Sequence, residues 1–464
     1  MAIKITSDSR KVRPGWAFFA IEGEKTDGHN FIHNAIERGA IKVVAQRPVD
    51  FLPSGVALEV VRDTRLQFYE TFCCEAGLNE WDCCSIGVTG TNGKTSISFI
   101  AEFLLGTHKT MRLGTVNYSL SGQIIPALTT TPGLEEFLNL LYQAKEIGLR
   151  YLVMEVSSHS LVQRRIGGFR FDVGVFTNLS RDHLDYHRTE QDYYQAKRRL
   201  FFEHIKENGI GVINCQDRWG KVLYKELKQA GGRVIGIGEE IQVELVDLSL
   251  DGSVGRVRWN RKEVEISIGL IGMHNVMNAV EAMVAVHVAT GEDLETLSAR
   301  LRDFPGIPGR MEKILARDRI VFIDYAHTPD GLENVLKALR EVKEDRNLLC
   351  VFGCGGDRDK GKRPIMGKIA DKLADVIIIT SDNPRGEDPE RIIEDIVAGI
   401  SGLSRLRHII EPDRYRAIRL ALEIAGPGDI VLIAGKGHED YQIVGDKRYH
   451  FSDKEVVLEW ANSE

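Results

Sequence analysis

The sequence predicts an α/β protein of three domains: a small N-terminal α/β domain, a central parallel-sheet domain with a phosphate-binding loop, and a C-terminal Rossmann-like α/β domain. The 464 residues are enough for three domains of ~150 residues each. Short apolar runs alternate with helical runs along most of the chain, which is typical of parallel sheets. A Pro- and Gly-rich stretch at 305–309 separates two such series. We therefore expect domains at residues 1–82, 83–308 and 309–464.

Composition and charge exclude several classes of protein. Apolar residues make up 43% of the chain and charged residues 27%, as in globular proteins with well-formed cores. The net charge of −7 gives no indication of a nucleic-acid-binding surface. No apolar run approaches the ~18 residues of a membrane span, and the N-terminus lacks a signal peptide's apolar region. The 7 cysteines, an odd number, are expected to be free thiols in a reducing compartment.

The first 80 residues combine short β-like runs with helical ones. Strands are predicted at 16–20, 42–45 and 58–61, and helices at 31–38 and 66–78. Turn signals such as Pro14-Gly15 and Asp27-Gly28 separate them. This part of the chain is therefore a small α/β unit.

Residues 86–96 (Ile-Gly-Val-Thr-Gly-Thr-Asn-Gly-Lys-Thr-Ser) carry the clearest functional signal. An apolar strand leads into a glycine turn, and an apolar helical run follows at 97–105. Glycines allow backbone N–H groups to face an anion, and the helix N-terminus adds positive potential. Lys94 can reach the terminal phosphates of a nucleotide, and the Thr95 hydroxyl can bind Mg²⁺. The usual phosphate-loop pattern would place a Gly at the position of Val88, so the spacing differs from it.

Alternation of strands and helices continues on both sides of 305–309. Before it, strands are predicted at 151–156, 173–177 and 211–214, and helices at 134–147, 191–204 and 275–289. The stretch 241–268 has the period of β-structure instead and predicts an antiparallel insertion. After it, strands are predicted at 320–324, 348–353, 376–381 and 430–434, with helices between them.

Polar groups cluster where these strands end, the edge at which open α/β sheets bind ligands. Glu155 ends an apolar strand and could hold Mg²⁺, although it is equally compatible with an ordinary strand-end acid. His183, Asp185 and His187 lie within five residues of each other after the next strand and suggest metal or phosphate contacts. In the last domain Asp324 ends a strand, and charged glycine-containing turns follow the other strands at 352–363, 381–389 and 434–440.

A series of motifs in a set order resembles the Mur ligase family over essentially the whole chain. The motifs are Gly-Thr-Asn-Gly-Lys-Thr (90–95), Glu-Val-Ser-Ser-His (155–159), Asn-Leu-Ser-Arg-Asp-His-Leu-Asp-Tyr-His (178–187), Tyr-Gln-Ala-Lys (194–197), Gly-Met-His-Asn-Val-Met-Asn (272–278), Pro-Gly-Arg-Met-Glu (308–312), Asp-Tyr-Ala-His-Thr-Pro-Asp (324–330), Asp-Asn-Pro-Arg (382–385) and Gly-Lys-Gly-His-Glu (435–439). Asp8-Ser-Arg10 is similar to the family's uridine-nucleotide domain, and the first helix of relatives is expected to be shortened or absent. Ser96 departs from the pattern, because many relatives have Thr there.

The resemblance implies an ATP-dependent ligase of peptidoglycan precursor synthesis. Its reaction would add meso-diaminopimelate to UDP-N-acetylmuramoyl-L-alanyl-D-glutamate through an acyl phosphate, with Mg²⁺, in the cytoplasm, and the enzyme would be a monomer. Domain closure would complete the ATP site. No nucleic acid and no membrane insertion are expected.

The resemblance also implies roles for individual residues. Catalytic roles fall to Lys94, Glu155, His183 and Lys197. ATP contacts would come from Gly90, Thr91, Asn92, Gly93, Lys94, Thr95, Ser96, Asn275, Asn278, Arg310 and Asp324. Mg²⁺ would be held by Thr95, and a second ion by Glu155, His183 and a carbamylated Lys197. Without the resemblance, Lys197 would be interpreted as a surface cation beside Arg198 and Arg199.

Two further sets of residues would bind the other substrates. The UDP-linked substrate would contact Ser9, Thr130, Thr131, Ser157 and Arg165. Diaminopimelate would contact Arg358, Asp382, Asn383, Pro384, Arg385, Gly435 and Glu439. The guanidinium of Arg385 can bind the distal carboxylate, which lysine lacks, through two parallel hydrogen bonds. Glu439 and the Gly435 carbonyl would meet the ammonium group.

Other interpretations remain open. The same ligase could add L-lysine. A folylpolyglutamate synthetase-like ligase shares the ATP chemistry, but would not need Asp8-Ser-Arg10 or Asn383-Pro-Arg385. A nucleoside-triphosphate hydrolase or kinase would not explain the charged strand ends of a separate domain. A non-catalytic scaffold is disfavoured because Lys94, Glu155, His183 and Lys197 are all present.

Overall fold

The chain forms two compact units in the computed structural model, which describes residues 3–24, 26–50, 52–401 and 408–463. The first unit comprises residues 1–89, 105–174 and 196–209, and the second comprises 90–104, 175–195 and 210–464. The chain passes from one unit to the other after Thr89 and after Leu104, and again within β10 (Phe171–Phe176), α7 (Glu190–Glu203) and β11 (Ile205–Asn214). No helix in these described ranges has the length and apolar character needed to cross a membrane.

The first unit opens with a parallel sheet of four short strands. Their order is β1 (Ile5–Thr6), β2 (Ala17–Phe19), β3 (Lys42–Ala45) and β4 (Ala57–Val60). Helices α1 (Ile32–Glu37) and α2 (Thr64–Glu75) accompany it. Phe18, Ala35 and Val43 are buried together in the core of this sheet. The small α/β unit predicted from the sequence is confirmed.

The rest of the first unit is a mixed sheet. The pairing order is β5 (Cys84–Thr89), β9 (Tyr151–Glu155), β6 (Thr110–Leu113), β7 (Tyr118–Leu120) and β8 (Gln123–Ile125). The first three strands are parallel, but β7 and β8 are antiparallel additions that the predicted parallel sheet lacked. The tight turn at Ser121 and Gly122, with φ of 54° and 85°, reverses the chain between β7 and β8. Helices α4 (Leu134–Glu146) and α5 (Ser158–Val162) also belong to this unit.

The second unit begins with the phosphate loop at Gly90 and contains all but the last residue of the helix that follows it, α3 (Lys94–Leu105). Further on, α6 (Leu184–His187) and α8 (Arg218–Gln229) follow, and β12 (Val234–Ile237) pairs parallel to β11. The predicted antiparallel insertion is confirmed as a three-stranded sheet of β13 (Gln242–Ser249), β14 (Gly252–Trp259) and β15 (Lys262–Ile268). Helices α9 (Met273–Thr290) and α10 (Leu294–Leu301) come next.

A six-stranded sheet forms the last part of the second unit. Its order is β16 (Glu312–Ala316), β17 (Arg319–Asp324), β21 (Ile430–Ala434), β18 (Leu348–Phe352), β19 (Val376–Ile379) and β20 (His408–Ile410). All pairs are parallel except β16 with β17, where Arg317, with φ of 55°, lies in the reversing turn. The helices are α11 (Pro329–Val342), α12 (Lys362–Leu373), α13 (Pro389–Val397), α14 (Arg414–Ile424) and α15 (Asp453–Asn462), and β22 (Tyr441–Val444) and β23 (Lys447–His450) form a hairpin.

Side-chain caps explain where many of these helices begin. Asp63 accepts hydrogen bonds from the first backbone N–H groups of α2, and Thr328 caps α11 with Pro329 in its first turn. The predicted helix at 66–78 ends earlier than expected, at Glu75. Gly77, with φ of 61°, adopts the left-handed conformation that terminates helices. All seven cysteines are free thiols, as predicted.

Candidate active site

The phosphate loop lies on the segment that follows β10, within the second unit. Backbone N–H of Thr91 donates to the Asn178 carbonyl at 2.9 Å, and the Thr177 hydroxyl donates to the Asn92 carbonyl at 2.6 Å. A Cβ at Gly90 would stand 1.8 Å from Thr177 Oγ1, and one at Gly93 would stand 2.4 Å from Asn278 Oδ1. Both positions also have positive φ, so only glycine allows this close approach.

The two cationic side chains of the loop region have different surroundings. Lys94 Nζ donates to the carbonyls of Gly90 and Thr91, both at 2.8 Å, so the ammonium is held above the loop. Arg310 donates to Thr95 Oγ1 at 3.2 Å and stacks on the Tyr325 ring at 4.4 Å. The Nε atom of Arg310 is buried and has no hydrogen-bond partner among the described residues. That donor is available to an anion such as a phosphate.

A cavity of about 410 Å³ adjoins the loop, within the same unit. It brings together seven of the residues predicted to bind ATP, namely Asn92, Gly93, Ser96, Asn275, Asn278, Arg310 and Asp324. Asn278 Nδ2 donates to Asn275 Oδ1 at 3.3 Å. Asp324 accepts from the backbone N–H groups of Met311 and Ala326, at 2.7 and 2.8 Å. Burial raises the pKa of Asp324, although the nearby Arg310 charge acts in the opposite direction.

His183 is in the left-handed conformation, with φ of 54°, directly before α6. Its Nε2 lies 3.3 Å from Asp182 Oδ2. Burial alone would raise the pKa of Asp182, but the charges of His183, His327 and Lys362 lower it to about 2. Asp182 is therefore a carboxylate. The neighbouring Arg181 forms two hydrogen bonds to Asp359, at 2.8 and 3.1 Å.

A polar cluster occupies the carboxyl ends of β19 and β21. Asn383 Nδ2 donates to Glu439 Oε2 at 2.9 Å, and its Oδ1 accepts from the Ile443 backbone at 2.9 Å. A Cβ at Gly435 would lie 3.2 Å from Asp382 Oδ2. Asp382, Asn383, Gly435 and Glu439, all predicted to bind diaminopimelate, are thus brought together.

Two arginines predicted for the same substrate lie beside this cluster. Arg385 Nη1 donates to the carbonyls of Gly356 at 2.9 Å and Asn383 at 3.4 Å. Pro384 is buried, and its carbonyl packs against Gly356. Arg358 is exposed and donates to the Asp357 carbonyl at 2.9 Å.

Four predicted residues for the UDP-linked substrate form one network in the first unit. The Thr131 hydroxyl donates to the Glu155 carbonyl at 2.8 Å and lies 3.3 Å from Ser157 Oγ. Arg165 donates to the Thr131 carbonyl at 3.2 Å. Thr115 links Thr130 to Glu155, because its hydroxyl lies 3.1 Å from Thr130 Oγ1 and 2.9 Å from Glu155 Oε2.

A larger cavity of about 880 Å³ lies in the same unit. Of the five residues predicted for this substrate, Arg165 alone is among the described residues that line it. Ser9 is buried in a short 3-10 turn capped by Asp8. The lining includes cations that the motifs did not indicate, Arg62, Arg65 and Arg164.

Models of the Mur ligase family match three parts of the chain. The catalytic domain matches residues 4–67, the middle domain 88–286 and the glutamate ligase domain 309–437. A ligase of Aquifex aeolicus, named UDP-N-acetylmuramoyl-L-alanyl-D-glutamate--2,6-diaminopimelate ligase, is 42% identical over 459 residues, which are 98% of this chain and 92% of the relative. The protein of the same name in Fusobacterium nucleatum is 39% identical over 457 residues, with 98% and 92% covered.

The chain belongs to the Mur ligase family. A solved structure of a ligase with that name is similar to this chain. The TM-score is 0.70 and the identity 35%, with 99% of this chain and 94% of the other covered. The predicted three-domain α/β fold is therefore confirmed. The predicted domain boundaries and site residues stay predictions.

Lys197 of this Mur ligase is buried, although the arginines beside it in the sequence suggest an exposed position. Its side chain is 1% exposed, so the interpretation as a surface cation is wrong. No group of three or more His, Cys, Asp or Glu side chains in the described ranges is arranged for a metal ion. The predicted set contains only Glu155 and His183 of those types, together with Thr95 and a carbamylated Lys197, so it stays a prediction.

The 410 Å³ cavity of this Mur ligase also contains residues that were not predicted. Asp330 accepts from Asn92 Nδ2 at 2.7 Å, which ties the phosphate loop to the start of α11. Glu281 is buried on α9, and burial raises its pKa well above the usual value. Asp330 belongs to the motif at 324–330, which is the signal that could have indicated it. For Glu281 the signal was an acidic residue within an apolar helical run.

Proposed function

We propose that this chain is an ATP-dependent ligase that adds meso-diaminopimelate to UDP-N-acetylmuramoyl-L-alanyl-D-glutamate, a step of peptidoglycan precursor synthesis. The observation that carries the proposal is the position of Tyr325. Its ring stacks against Arg310 of the nucleotide cavity, and its hydroxyl lies 3.4 Å from Glu439 Oε1 in the polar cluster. A nucleoside-triphosphate hydrolase transfers the phosphoryl group to water, so it would have no need for an amino-acid site adjoining its nucleotide site.

The chemistry requires activation of a carboxylate. Transfer of the γ-phosphoryl group of ATP to the D-glutamyl carboxylate forms an acyl phosphate and ADP. An amine of diaminopimelate then attacks the acyl carbon, and phosphate leaves as the amide forms. Two anions meet in the first step, so cations are needed. Lys94 and Arg310 supply positive charge to the phosphates, Asp324 binds the ribose, and Asn275 and Asn278 lie near the adenine.

The proposed Mg²⁺ ligands are the Thr95 hydroxyl for one ion and Glu155, His183 and carbamylated Lys197 for another. Three of these four donors fit the ion, since hydroxyl, carboxylate and carbamate oxygens suit Mg²⁺, whereas the His183 imidazole is a nitrogen donor. Both Glu155 oxygens accept from Thr115, from its N–H and its hydroxyl at 2.9 Å each, which fixes the carboxylate's orientation. Bound Mg²⁺ would neutralise the charge of the phosphates during transfer.

The other two substrates have separate proposed sites. Thr130, Thr131, Ser157 and Arg165 bind the muramoyl-dipeptide, with Ser9 near the uridine end. Arg385 and Arg358 bind the distal carboxylate of diaminopimelate, while Glu439 and the Gly435 carbonyl accept from its ammonium. Addition of L-lysine is the second candidate, because lysine has the same amines. It would leave Arg385 without a carboxylate partner, a loss of about 1–3 kcal/mol.

Phosphate release tests the proposal. The enzyme is given ATP, Mg²⁺ and UDP-N-acetylmuramoyl-L-alanyl-D-glutamate, with meso-diaminopimelate, with L-lysine or with no amino acid. We expect release with diaminopimelate only. Release with lysine only would retain the ligase and overturn the specificity, and equal release in all three reactions would mean an uncoupled hydrolase.

A further inference from the structure

Lys436 carries a buried ammonium group within the polar cluster at the carboxyl ends of β19 and β21. None of the roles proposed above involves this residue. Its side chain is fully buried, in the Gly-Lys-Gly-His-Glu segment after β21. Nζ lies 3.1 Å from Glu439 Oε2, 3.4 Å from Asn383 Oδ1 and 3.7 Å from Asp382 Oδ1. A buried charge is costly unless it is paired, so these contacts determine where each of the four side chains can lie.

The two oxygens of Glu439 have different surroundings. Oε2 accepts from Lys436 and, at 2.9 Å, from Asn383 Nδ2. Oε1 lies 3.4 Å from the Tyr325 hydroxyl, and the Tyr441 hydroxyl also hydrogen-bonds to this carboxylate. Lys436 therefore holds one oxygen of the carboxylate, while the 3.4 Å contact on Oε1 leaves that oxygen able to accept from a further donor.

The charges of the cluster also depend on Lys436. Asp382 and Glu439 contribute two negative charges, and Lys436 balances one of them. The remaining negative charge matches a single substrate ammonium. Without Lys436 both carboxylates would lose this buried ammonium partner, and Glu439 would lose one of the two donors that hold Oε2.

We propose that Lys436 is a positioning residue for the amino-acid substrate: it holds the Glu439 carboxylate so that Oε1 accepts from the distal ammonium of diaminopimelate. This inference rests on the proposed function and adds to it a residue that determines amino-acid affinity. Lys436 acts through Glu439 and does not itself contact the reacting atoms.

The Lys436→Met variant tests this role, because methionine has a similar length and no charge. KM values for diaminopimelate, ATP and the UDP-linked substrate are measured by phosphate release. We expect the diaminopimelate KM to rise at least about tenfold, as for loss of one charge-assisted hydrogen bond, while kcat and the other two KM values change less than about threefold. An unchanged diaminopimelate KM would overturn the inference.

A double-mutant cycle with Glu439→Gln separates positioning from an independent effect. If Lys436 acts through Glu439, adding Lys436→Met to Glu439→Gln raises the diaminopimelate KM by no more than about twofold. Fold-changes that multiply in the double variant would contradict the proposed role. Lys436→Gln, which keeps a donor without the charge, gives the same cycle if Lys436→Met does not fold, as judged by ADP binding.

Lys454→Met is the matched control. Lys454 is half exposed in the same part of the chain and pairs with Glu312 at 2.6 Å. Its diaminopimelate KM should equal that of the wild type, and an equal rise there would attribute the effect to general charge. Wild-type enzyme without diaminopimelate-dependent phosphate release would overturn the proposed function. Active wild type with an unaffected Lys436→Met variant would overturn this inference alone.

Discussion

The backbone and the side chain of Arg385 form hydrogen bonds with different segments of the chain. Its N–H donates to the Ile443 carbonyl at 3.1 Å, and its carbonyl accepts from Gly445 at 2.7 Å. Its φ of 51° is uncommon for a residue with a side chain and costs of order 1–3 kcal/mol. These bonds to the segment before β23 hold the strained conformation. The guanidinium uses Nη1 on neutral carbonyls, and several of its five donors are left for a carboxylate.

We expect Arg385→Ala to raise the KM for diaminopimelate at least about tenfold while the KM for ATP changes less than about twofold. Loss of a bidentate carboxylate contact removes affinity for that substrate and not for the nucleotide. The preference for diaminopimelate over L-lysine should fall with it. Steady-state phosphate release with each amino acid measures both effects. Arg416→Ala, at an exposed position on α14, is the control. An unchanged diaminopimelate KM would remove Arg385 from the specificity role.

At the scale of elements, a buried arginine of α12 joins that helix to α13 and to the turn before α13. Arg363 is 1% exposed and pairs with Glu387 at 2.9 Å and with Asp395 at 2.9 Å. Its hydrogen bonds to Glu387, opposed by burial and supported by Lys360 and the Asp357 N–H, lower the pKa of that carboxyl from 4.5 to about 2. The turn carrying Arg385 is thus anchored at Glu387 by charge as well as by backbone bonds.

The Glu387 shift predicts a pH dependence of stability. A carboxyl group whose pKa is lower in the folded state stabilises that state fully above its unfolded pKa. The contribution should therefore be present above about pH 4.5 and be lost as the pH falls from there toward about 2. Urea unfolding at a series of pH values measures it. Glu387→Gln should flatten the dependence in that window, whereas Glu333→Gln, from the helical pair with Lys337 at 2.7 Å, should keep the wild-type slope. Equal slopes in wild type and Glu387→Gln would contradict the assignment.

At the scale of the whole molecule, every described residue that lines the 410 Å³ cavity belongs to the second unit. Its walls come from the phosphate loop, from α9 and from the start of α11, which are far apart along the chain. The 880 Å³ cavity in the first unit is lined by described residues of that unit. Each unit therefore contains a cavity of its own, and seven of the predicted ATP contacts line the one in the second unit.

Binding of ADP alone should slow amide hydrogen exchange in the second unit, at residues 90–96 and at the start of α9. A ligand present at a hundred times its Kd stabilises the state that binds it by about 2.7 kcal/mol. The strands β1 to β4 should exchange at their ligand-free rates. Exchange followed by mass spectrometry measures both, and Arg310→Ala should weaken the protection. Protection that appears first in β1 to β4 would place the nucleotide elsewhere.

The sequence by itself determined the features that depend on local patterns. The strand at 42–45, the strand at 430–434 and the antiparallel insertion follow from periods and turn residues within a few positions. The glycines of the phosphate loop and the order of the motifs likewise indicated the family. The residues of the polar cluster were predicted from the same motifs. They lie together because the segments that carry them follow strands of one sheet.

Only the tertiary structure decided which distant side chains meet and how deeply they are buried. Asn92 pairs with Asp330 across 238 positions, and Lys436 lies among three acceptors from two strand ends. Lys197 is buried although its neighbours in sequence are arginines. Sequence patterns indicate only how residues a few positions apart are arranged, whereas these contacts depend on strand order and helix packing. The antiparallel edge strands were missed for the same reason, since their pairing depends on the sheet that they extend.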